Sequence, residues 1–497
     1  MLYCLTLQHA VRQFPQAAAI SGDAGVVTFG QLADRVERVA GELFERGFRA
    51  GDRLAMLLLN SPEFIEIVYA CARLGVIAVP LNTRYAVAEI DQVLEDATPK
   101  GIVRHSALPA PGVRLPWDQV IDQTPLQGAS GALPAPFWDP GAVFGLFYTS
   151  GTTGKAKGVM LTHQNLLANI LHSAPHFGLS KGDCFLHAAP MFHLADFPVV
   201  LFAVASGAVQ ATIPRFELQA FCSSVQKHRI TDTILIPTMV NFLTLYPELA
   251  SFDLSSLKCV RYGGSPIAPE VLKRAREKLA GVKFVQGYGL TETSPLLTLL
   301  VDEDHKPDKL LSCGRAIFGV ELEIVDASGK ACPPNEPGEI VARGLNIMKG
   351  YWNKPEETAR AIVDGWFHTG DVAQKDADGF FYIVDRSKDM IVTGGENVYS
   401  TEVESALYEH PAIKEAAVIG IPDPQWGELV TACVVVKDGV SVTADEITSH
   451  CRQRLANYKI PRRVEFFTTE LPKSGTGKIL KRELRAPYWK DRSRAVG

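Results

Sequence analysis

Tyr148-Thr149-Ser150-Gly151-Thr152-Thr153-Gly154-Lys155-Ala156-Lys157-Gly158 is the stretch from which the rest of the chain is read. Glycines let backbone N–H groups converge on an anion, and the hydroxyls and Lys155 add donors of the right sign. The apolar run Ala142–Phe147 before it reads as a strand, and Val159-Met160-Leu161 follow it directly. A flexible linker shares this composition. The apolar flanks on both sides and the two lysines favour a polyphosphate cradle instead. Spacing excludes a P-loop, which needs Gly, four residues, then Gly-Lys-Ser/Thr; here Thr149 stands at the first glycine's place and Ala156 follows Lys155.

Outward from the cradle, strand and helix signals alternate. Val26–Phe29 reads as a short strand, and Leu32, Val36, Val39, Leu43 and Phe44 recur at helical spacing. A strand over Leu54–Leu59, a helix over Pro62–Leu74 opened by Ser61, and a strand over Val76–Val79 follow. The Pro- and Gly-rich tract Leu108–Pro140 reads as a loop leading to the cradle. Beyond it come a helix over Thr162–Leu171, the segment Ala188–Leu194 with His193, and a buried helix over Phe197–Val209. A histidine in such an apolar setting is as readily a core residue as a functional one. Alternation resumes with strands at Thr233–Ile236, Cys259–Tyr262 and Lys283–Gln286 around a helix at Pro269–Leu279. The turn Gly287-Tyr288-Gly289-Leu290-Thr291-Glu292-Thr293 then combines an aromatic, hydroxyls and a carboxylate.

This pattern predicts an α/β fold: a large N-terminal domain of mostly parallel sheet covered by helices. Residues 310–384 break into short apolar runs, which suits an antiparallel or barrel-like subdomain containing His368-Thr369-Gly370-Asp371. Charges crowd at Asp385–Asp389, placing a boundary there, so that 1–387 form the large domain and 388–497 a small α+β domain. Near its end lies a second Gly/Lys loop, Leu471–Ile479.

Composition bounds the function. The 497 residues carry 46% apolar and 21% charged residues and a net charge of −5, with both signs interspersed, so a nucleic-acid-binding surface is not expected. The nine cysteines are scattered without a Cys-x-x-Cys pair and read as reduced thiols. No signal peptide, peroxisomal address or integral membrane segment is expected; the longest apolar run, Phe197–Val209, is too short for a bilayer and contains Ser206 and Gly207. A cytoplasmic location is expected, and a homodimer stays open.

The cradle, the Tyr288–Glu292 turn, His368–Asp371, Asp385–Lys388 with Gly394-Gly395-Glu396-Asn397, and Pro472–Ile479 occur in the order found in adenylate-forming enzymes. The chain resembles that superfamily (acyl-CoA synthetases, aryl-CoA ligases, firefly luciferase and peptide-synthetase adenylation domains) over nearly its whole length, and is most like an acyl-CoA synthetase. The resemblance implies a large N-terminal domain with a small mobile C-terminal one, and ATP, Mg²⁺ and coenzyme A as reactants or cofactors. It also implies two half-reactions: a carboxylate and ATP give acyl-AMP and pyrophosphate, and a thiol then displaces AMP.

Site residues are carried over by the same resemblance. Lys478 contacts the substrate carboxylate and the α-phosphate, Thr291 the α-phosphate, and Glu292 positions Mg²⁺. Thr149, Ser150, Gly151, Thr152, Thr153, Gly154 and Lys155 hold the β- and γ-phosphates. Gly264, Tyr288 and Gly289 line the nucleotide site, Asp371 takes the ribose hydroxyls, and Arg386 contacts ribose or phosphate. Lys388 is the hinge, Gly394 and Gly395 border the thiol tunnel, and His193 sits where tunnel and acyl pocket meet. The acyl pocket draws on Met191–His193, Tyr262–Pro266 and Gln286–Leu296, including Phe192, Gly263, Gly287 and Pro295. Those stretches contain no Lys or Arg, so an apolar monocarboxylate is expected, either a fatty acid or a phenylpropenoic acid such as coumarate or ferulate. Loading of a carrier protein, a luciferase-like oxygenase and a non-catalytic nucleotide-binding regulator are the alternatives.

Overall fold

Helix and strand boundaries follow local chemistry closely. Ser61 accepts from Phe64 N (3.3 Å) ahead of Pro62, and the helix Pro62–Leu74 ends on Gly75 at φ 75°. Thr28 and Gln31 form a reciprocal capping box that opens the amphipathic helix Phe29–Glu45. The computed structural model describes residues 1–129, 133–149, 156–386, 389–393, 396–475 and 477–490, without the side chains of 385, 386 and 397.

Two mixed sheets form the large domain. The nine-stranded sheet runs in the order Arg315–Ala316, Leu296–Leu300, Lys283–Gly289, Cys259–Gly263, Asp232–Leu235, Cys184–His187, Val209–Thr212, Ala18–Gly22, Gly25–Thr28. Its centre, from Lys283–Gly289 to Ala18–Gly22, is parallel, and its edges are antiparallel. The seven-stranded sheet runs Gly350–Tyr351, Lys157–Thr162, Val143–Thr149, Ile77–Pro80, Arg53–Leu57, Gly101–Arg104, Asp118–Val120, parallel from its third strand onward. The barrel-like subdomain expected over 310–384 is a five-stranded antiparallel sheet built on Trp366–Lys375. The small domain has its own five-stranded sheet centred on Gly427–Val436, with helices Ser400–Tyr408 and Ala444–Arg452 packed on it.

Three elements differ from expectation. The tract expected as a loop before the cradle carries the edge strand Asp118–Val120, paired in parallel with Gly101–Arg104. The helix after the cradle spans His163–Phe177 rather than stopping at Leu171; Ser173 and Phe177 are buried, Ser173 Oγ donates to Asn169 O (2.8 Å), and Pro175 is carried in the last turns. Tertiary burial outweighs the proline's stop signal. The apolar run Phe197–Val209 divides: its helix ends at Ser206, Gly207 caps it at φ 74°, and Val209 starts a strand. None of the described helices is long and apolar enough to cross a membrane, and all nine cysteines are free thiols, seven of them buried.

Phe197, on the helix between the strands Cys184–His187 and Val209–Thr212, is fully buried against the seven-stranded sheet and its helix Pro62–Leu74. Its ring centroid lies 4.9 Å from Phe147, 6.0 Å from Phe144 and 6.1 Å from Phe64. Phe197→Ala removes this aromatic bridge and is expected to cost about 3–5 kcal/mol, read from the urea midpoint at constant m-value.

Candidate active site

The strands Val143–Thr149 and Lys157–Thr162 pair antiparallel, with Tyr148 opposite Gly158 and Thr149 opposite Lys157. The cradle therefore joins two strands of a hairpin, and its two ends, Thr149 and Lys157, line a cleft of about 1770 Å³. A Cβ on Gly158 would lie 2.9 Å from the Tyr148 ring, whose hydroxyl donates to Asp96 (2.6 Å). Burial, then the Asp96 carboxylate, raises the Tyr148 phenol. Ser150, Gly151, Thr152, Thr153, Gly154 and Lys155 lie outside the described residues, as do Lys388, Gly394 and Gly395 and the side chain of Arg386.

The strand Lys283–Gly289 delivers the second motif to the same cleft. A Cβ on Gly289 would stand 1.7 Å from Pro295 O, so only glycine fits where the chain folds back on itself. Tyr288 Oη donates to Asp371 Oδ2 (2.8 Å), fixing the plane of a ring that lines the cleft. Glu292 Oε1 accepts from Tyr351 Oη (2.9 Å), and Lys157 Nζ, ion-paired with Glu357, lies 5.1 Å from the Tyr351 ring centroid. Burial, followed by the Glu292 charge, raises the Tyr351 phenol. The sequence reading takes Lys157 only as part of the cradle and passes over Tyr351, which sits on the short edge strand Gly350–Tyr351 within Lys-Gly-Tyr-Trp, a run that carries no ligand motif.

Asp371 comes from the third motif. Glu339, on the neighbouring strand, accepts Gly370 N (2.9 Å) and faces His368 Nδ1 (2.9 Å), while Gly370 turns at φ 72°. The carboxylate of Asp371 is thereby brought into the cleft with the residue only 3% exposed.

His193 is held by a buried polar network. Asn60 donates to His187 O (3.1 Å) and Ala189 O (2.8 Å) and accepts from Met191 N (2.8 Å). Below it, His187 Nδ1 contacts Asp196 and Nε2 faces Gln210 Oε1 (2.9 Å), all three side chains being fully buried. Ala195 N donates to His193 Nδ1 (3.0 Å), which leaves the proton of the neutral ring on Nε2. Lys478, from the small domain, lines the cleft and is close enough for its charge to depress His193.

Of the acyl-pocket expectations, Gly263, Gly264, Gly287 and Pro295 line the cleft, with Gly264 in the left-handed region at φ 80°. Phe192 does not: it borders a side cavity of about 40 Å³ with Leu81, Phe147 and Thr291. Helix His163–Phe177 contributes Asn169, Ile170, Ser173 and Phe177, and the next helix Val199 and Phe202. Arg261, one residue outside the stretches scanned for charge, also lines the cleft. Its Nη1 pairs with Asp232 (2.7 Å) on the adjacent strand and its guanidinium lies 4.0 Å from the Phe177 ring centroid. The charge is thus neutralised inside the wall, but its buried Nε has no acceptor among the described residues.

The two ends of the hairpin, the hydrogen-bonded Tyr288–Asp371 pair, Glu292 and Lys478 of the small domain therefore line one cleft. The AMP-binding enzyme family pattern matches residues 7–352 and the AMP-binding enzyme C-terminal domain pattern residues 402–478. The chain is 41% identical to a feruloyl-CoA synthase from an Amycolatopsis species over 96% of this chain and 97% of the relative. It is 37% identical to the long-chain-fatty-acid–CoA ligase FadD13 of Mycobacterium tuberculosis over 93% of each. The Bacillus subtilis o-succinylbenzoate CoA synthetase, solved with its acyl-adenylate OSB-AMP, superposes with TM-score 0.86 at 33% identity over 98% of both chains. The chain belongs to the AMP-binding enzymes, and is an AMP-forming acid–thiol ligase of the acyl-CoA synthetase type.

Burial first, and the Lys478 charge second, lower His193 to about 4. Its folded value lies below its unfolded one, so its contribution to stability is complete above pH 6.5 and is lost as pH falls from 6.5 towards 4. Between pH 5 and 8 the ring stays neutral. kcat/KM for the thiol, measured across that range, is expected to show no inflection near 6.5 that His193→Gln removes.

Proposed function

We propose that the enzyme activates a phenylpropenoic acid, of the ferulate or coumarate type, as its acyl-adenylate and transfers the acyl group to coenzyme A. The observation that carries this reading is the mixed lining of the acyl side of the cleft. Ile170, Val199, Phe202, Val285 and Leu299 offer apolar walls, but Asn169, Ser173 and Arg261 are buried polar residues among them. An alkyl chain leaves the Arg261 Nε–H buried without an acceptor, whereas a ring bearing hydroxyl or methoxy oxygens can supply one. The similarity to feruloyl-CoA synthase over 96% of the chain points the same way.

In this reading the substrate carboxylate attacks the α-phosphorus of ATP, the bond to pyrophosphate breaks, and Lys478 lies between the two anions. A unit-charge pair at about 4 Å is worth about 4 kcal/mol at an effective dielectric near 20. Thr149 and the cradle hold the departing phosphates, Asp371 the ribose, and Tyr288 the base. Glu292, oriented by Tyr351, would hold Mg²⁺ together with phosphate oxygens; no cluster of three acidic, histidine or cysteine ligands exists among the described residues, which suits an ion bound by one carboxylate and its nucleotide. That ion would neutralise phosphate charge. In the second half the CoA thiol attacks the acyl carbonyl, AMP leaves, and rotation about Lys388 withdraws Lys478 and brings Gly394-Gly395 to the tunnel beside His193.

AMP release is to be measured with and without CoA for ferulate, coumarate, cinnamate, benzoate, acetate and palmitate. Ferulate or coumarate should lead, and cinnamate, which lacks ring oxygens, should fall about tenfold or more in kcat/KM. Faster turnover of palmitate than of ferulate would overturn the assignment, and acyl transfer to a carrier protein but not to CoA would replace the acceptor. Lys478→Ala should lower acyl-adenylate formation by about 10²–10³-fold while leaving thioester formation from supplied acyl-adenylate in place.

A further inference from the structure

Lys478 leaves a tight turn of the small domain. Ser474 N donates to Lys478 O (2.7 Å), Gly477 N to Ser474 O (2.8 Å), and Lys478 N to Ser474 Oγ (3.1 Å). The turn itself is gripped by the large domain on two sides. Arg84 Nη1 donates to the same Ser474 carbonyl (3.2 Å), a contact across 390 residues of sequence. Gly475 is buried against Asn82: a Cβ there would stand 1.9 Å from Asn82 Oδ1 and 2.3 Å from Nδ2. Asn82 Oδ1 accepts Arg84 N (3.0 Å), which ties the amide to the segment that carries Arg84. Gly475 is outside the left-handed region, so glycine is required there for room and not for conformation. On the far side Thr238 Oγ1 donates to Gly477 O (3.3 Å), and Ile236 leaves no space for a Cβ on Gly477 (2.6 Å).

We propose that Asn82 and Arg84 are positioning residues for adenylation, a latch on the large domain that seizes the Ser474–Gly475 backbone and so fixes where Lys478 enters the cleft. The lysine's flexible stem can reach many places, so its useful position is set by the turn it leaves, and that turn touches the large domain through a carbonyl and a glycine. The latch acts in one half-reaction alone, because withdrawal of Lys478 requires the Ser474–Gly475 backbone to leave Asn82 and Arg84. The inference rests on Lys478 serving adenylation, and the Lys478→Ala variant tests that reading separately.

The test measures the two half-reactions apart, using the acid of the panel that turns over fastest and its synthetic adenylate. Pyrophosphate exchange reads adenylation, and thioester formation from supplied acyl-adenylate and CoA reads transfer. Arg84→Ala should lower exchange about tenfold, the equivalent of one charge-assisted hydrogen bond, with transfer within about twofold of the parent. Gly475→Ala should lower exchange at least as far, through overlap with Asn82. Asn82→Ala, which takes away the amide that Gly475 rests on, should lower exchange too, while Arg84→Lys, which keeps a cationic donor for the Ser474 carbonyl, should retain more of it than Arg84→Ala; a general folding defect would not sort the variants in that way. Exchange unchanged in Arg84→Ala and Gly475→Ala, proportional loss of both half-reactions, or parental exchange in Asn82→Ala would each overturn the latch. If Lys478→Ala keeps parental exchange, the fault lies in the role given to the lysine instead.

Discussion

In the proposed reaction two anions have to share one cleft, and the positive charge that would let them do so is carried by another domain. Lys478 reaches the cleft from the small domain and depresses His193 from there. Supplying the charge from a separate lobe would solve a conflict: a lysine fixed beside the α-phosphate would favour the first half-reaction and obstruct the thiol in the second. The cost is precision. A lone charge acts only over a few ångströms, so everything that sets the height and angle of the turn carrying Lys478 becomes part of the chemistry.

Glycine is how the chain obtains that precision where backbones must meet. Gly289 lies against Pro295 O, Gly263 against Gly287 O, where a Cβ would stand at 2.3 Å, and Gly475 against the Asn82 amide. None of the three adopts a left-handed conformation; each is glycine because another part of the chain occupies the space of a side chain. The result is a wall assembled from closely opposed main chain, on which Tyr288, Asp371 and Glu292 are then oriented by hydrogen bonds rather than by packing alone.

Burial of polar groups does the remaining positioning. Asn60 ties down the segment that carries His193, and beneath it His187 balances Asp196, whose carboxyl is itself pushed up by burial. Arg261 and Asp232 cancel one another inside the acyl wall, which keeps that side of the cleft electrically neutral while leaving a donor within it. A neutral wall with a spare donor suits a substrate that is largely aromatic and slightly polar at its far end.

The linear pattern of glycines, hydroxyls and charges was enough to recognise the superfamily and to expect a helix at about Pro62–Leu74, and the motifs it marked, Thr149, Glu292, Asp371 and Lys478 among them, line one cleft. Those features are local: turns, caps and ligand-facing motifs are written in residues a few positions apart. What it could not show was whatever depends on residues far apart in the chain. Tyr351 meets Glu292 across a strand edge, Arg261 enters the cleft because Asp232 lies on the adjacent strand, Phe192 turns into a side cavity, and the helix His163–Phe177 outruns its proline because Ser173 and Phe177 are buried. Asn82 and Gly475 are the plainest case: nearly four hundred residues separate them, neither is unusual in its own neighbourhood, and only folding puts an amide where a side chain would otherwise have been.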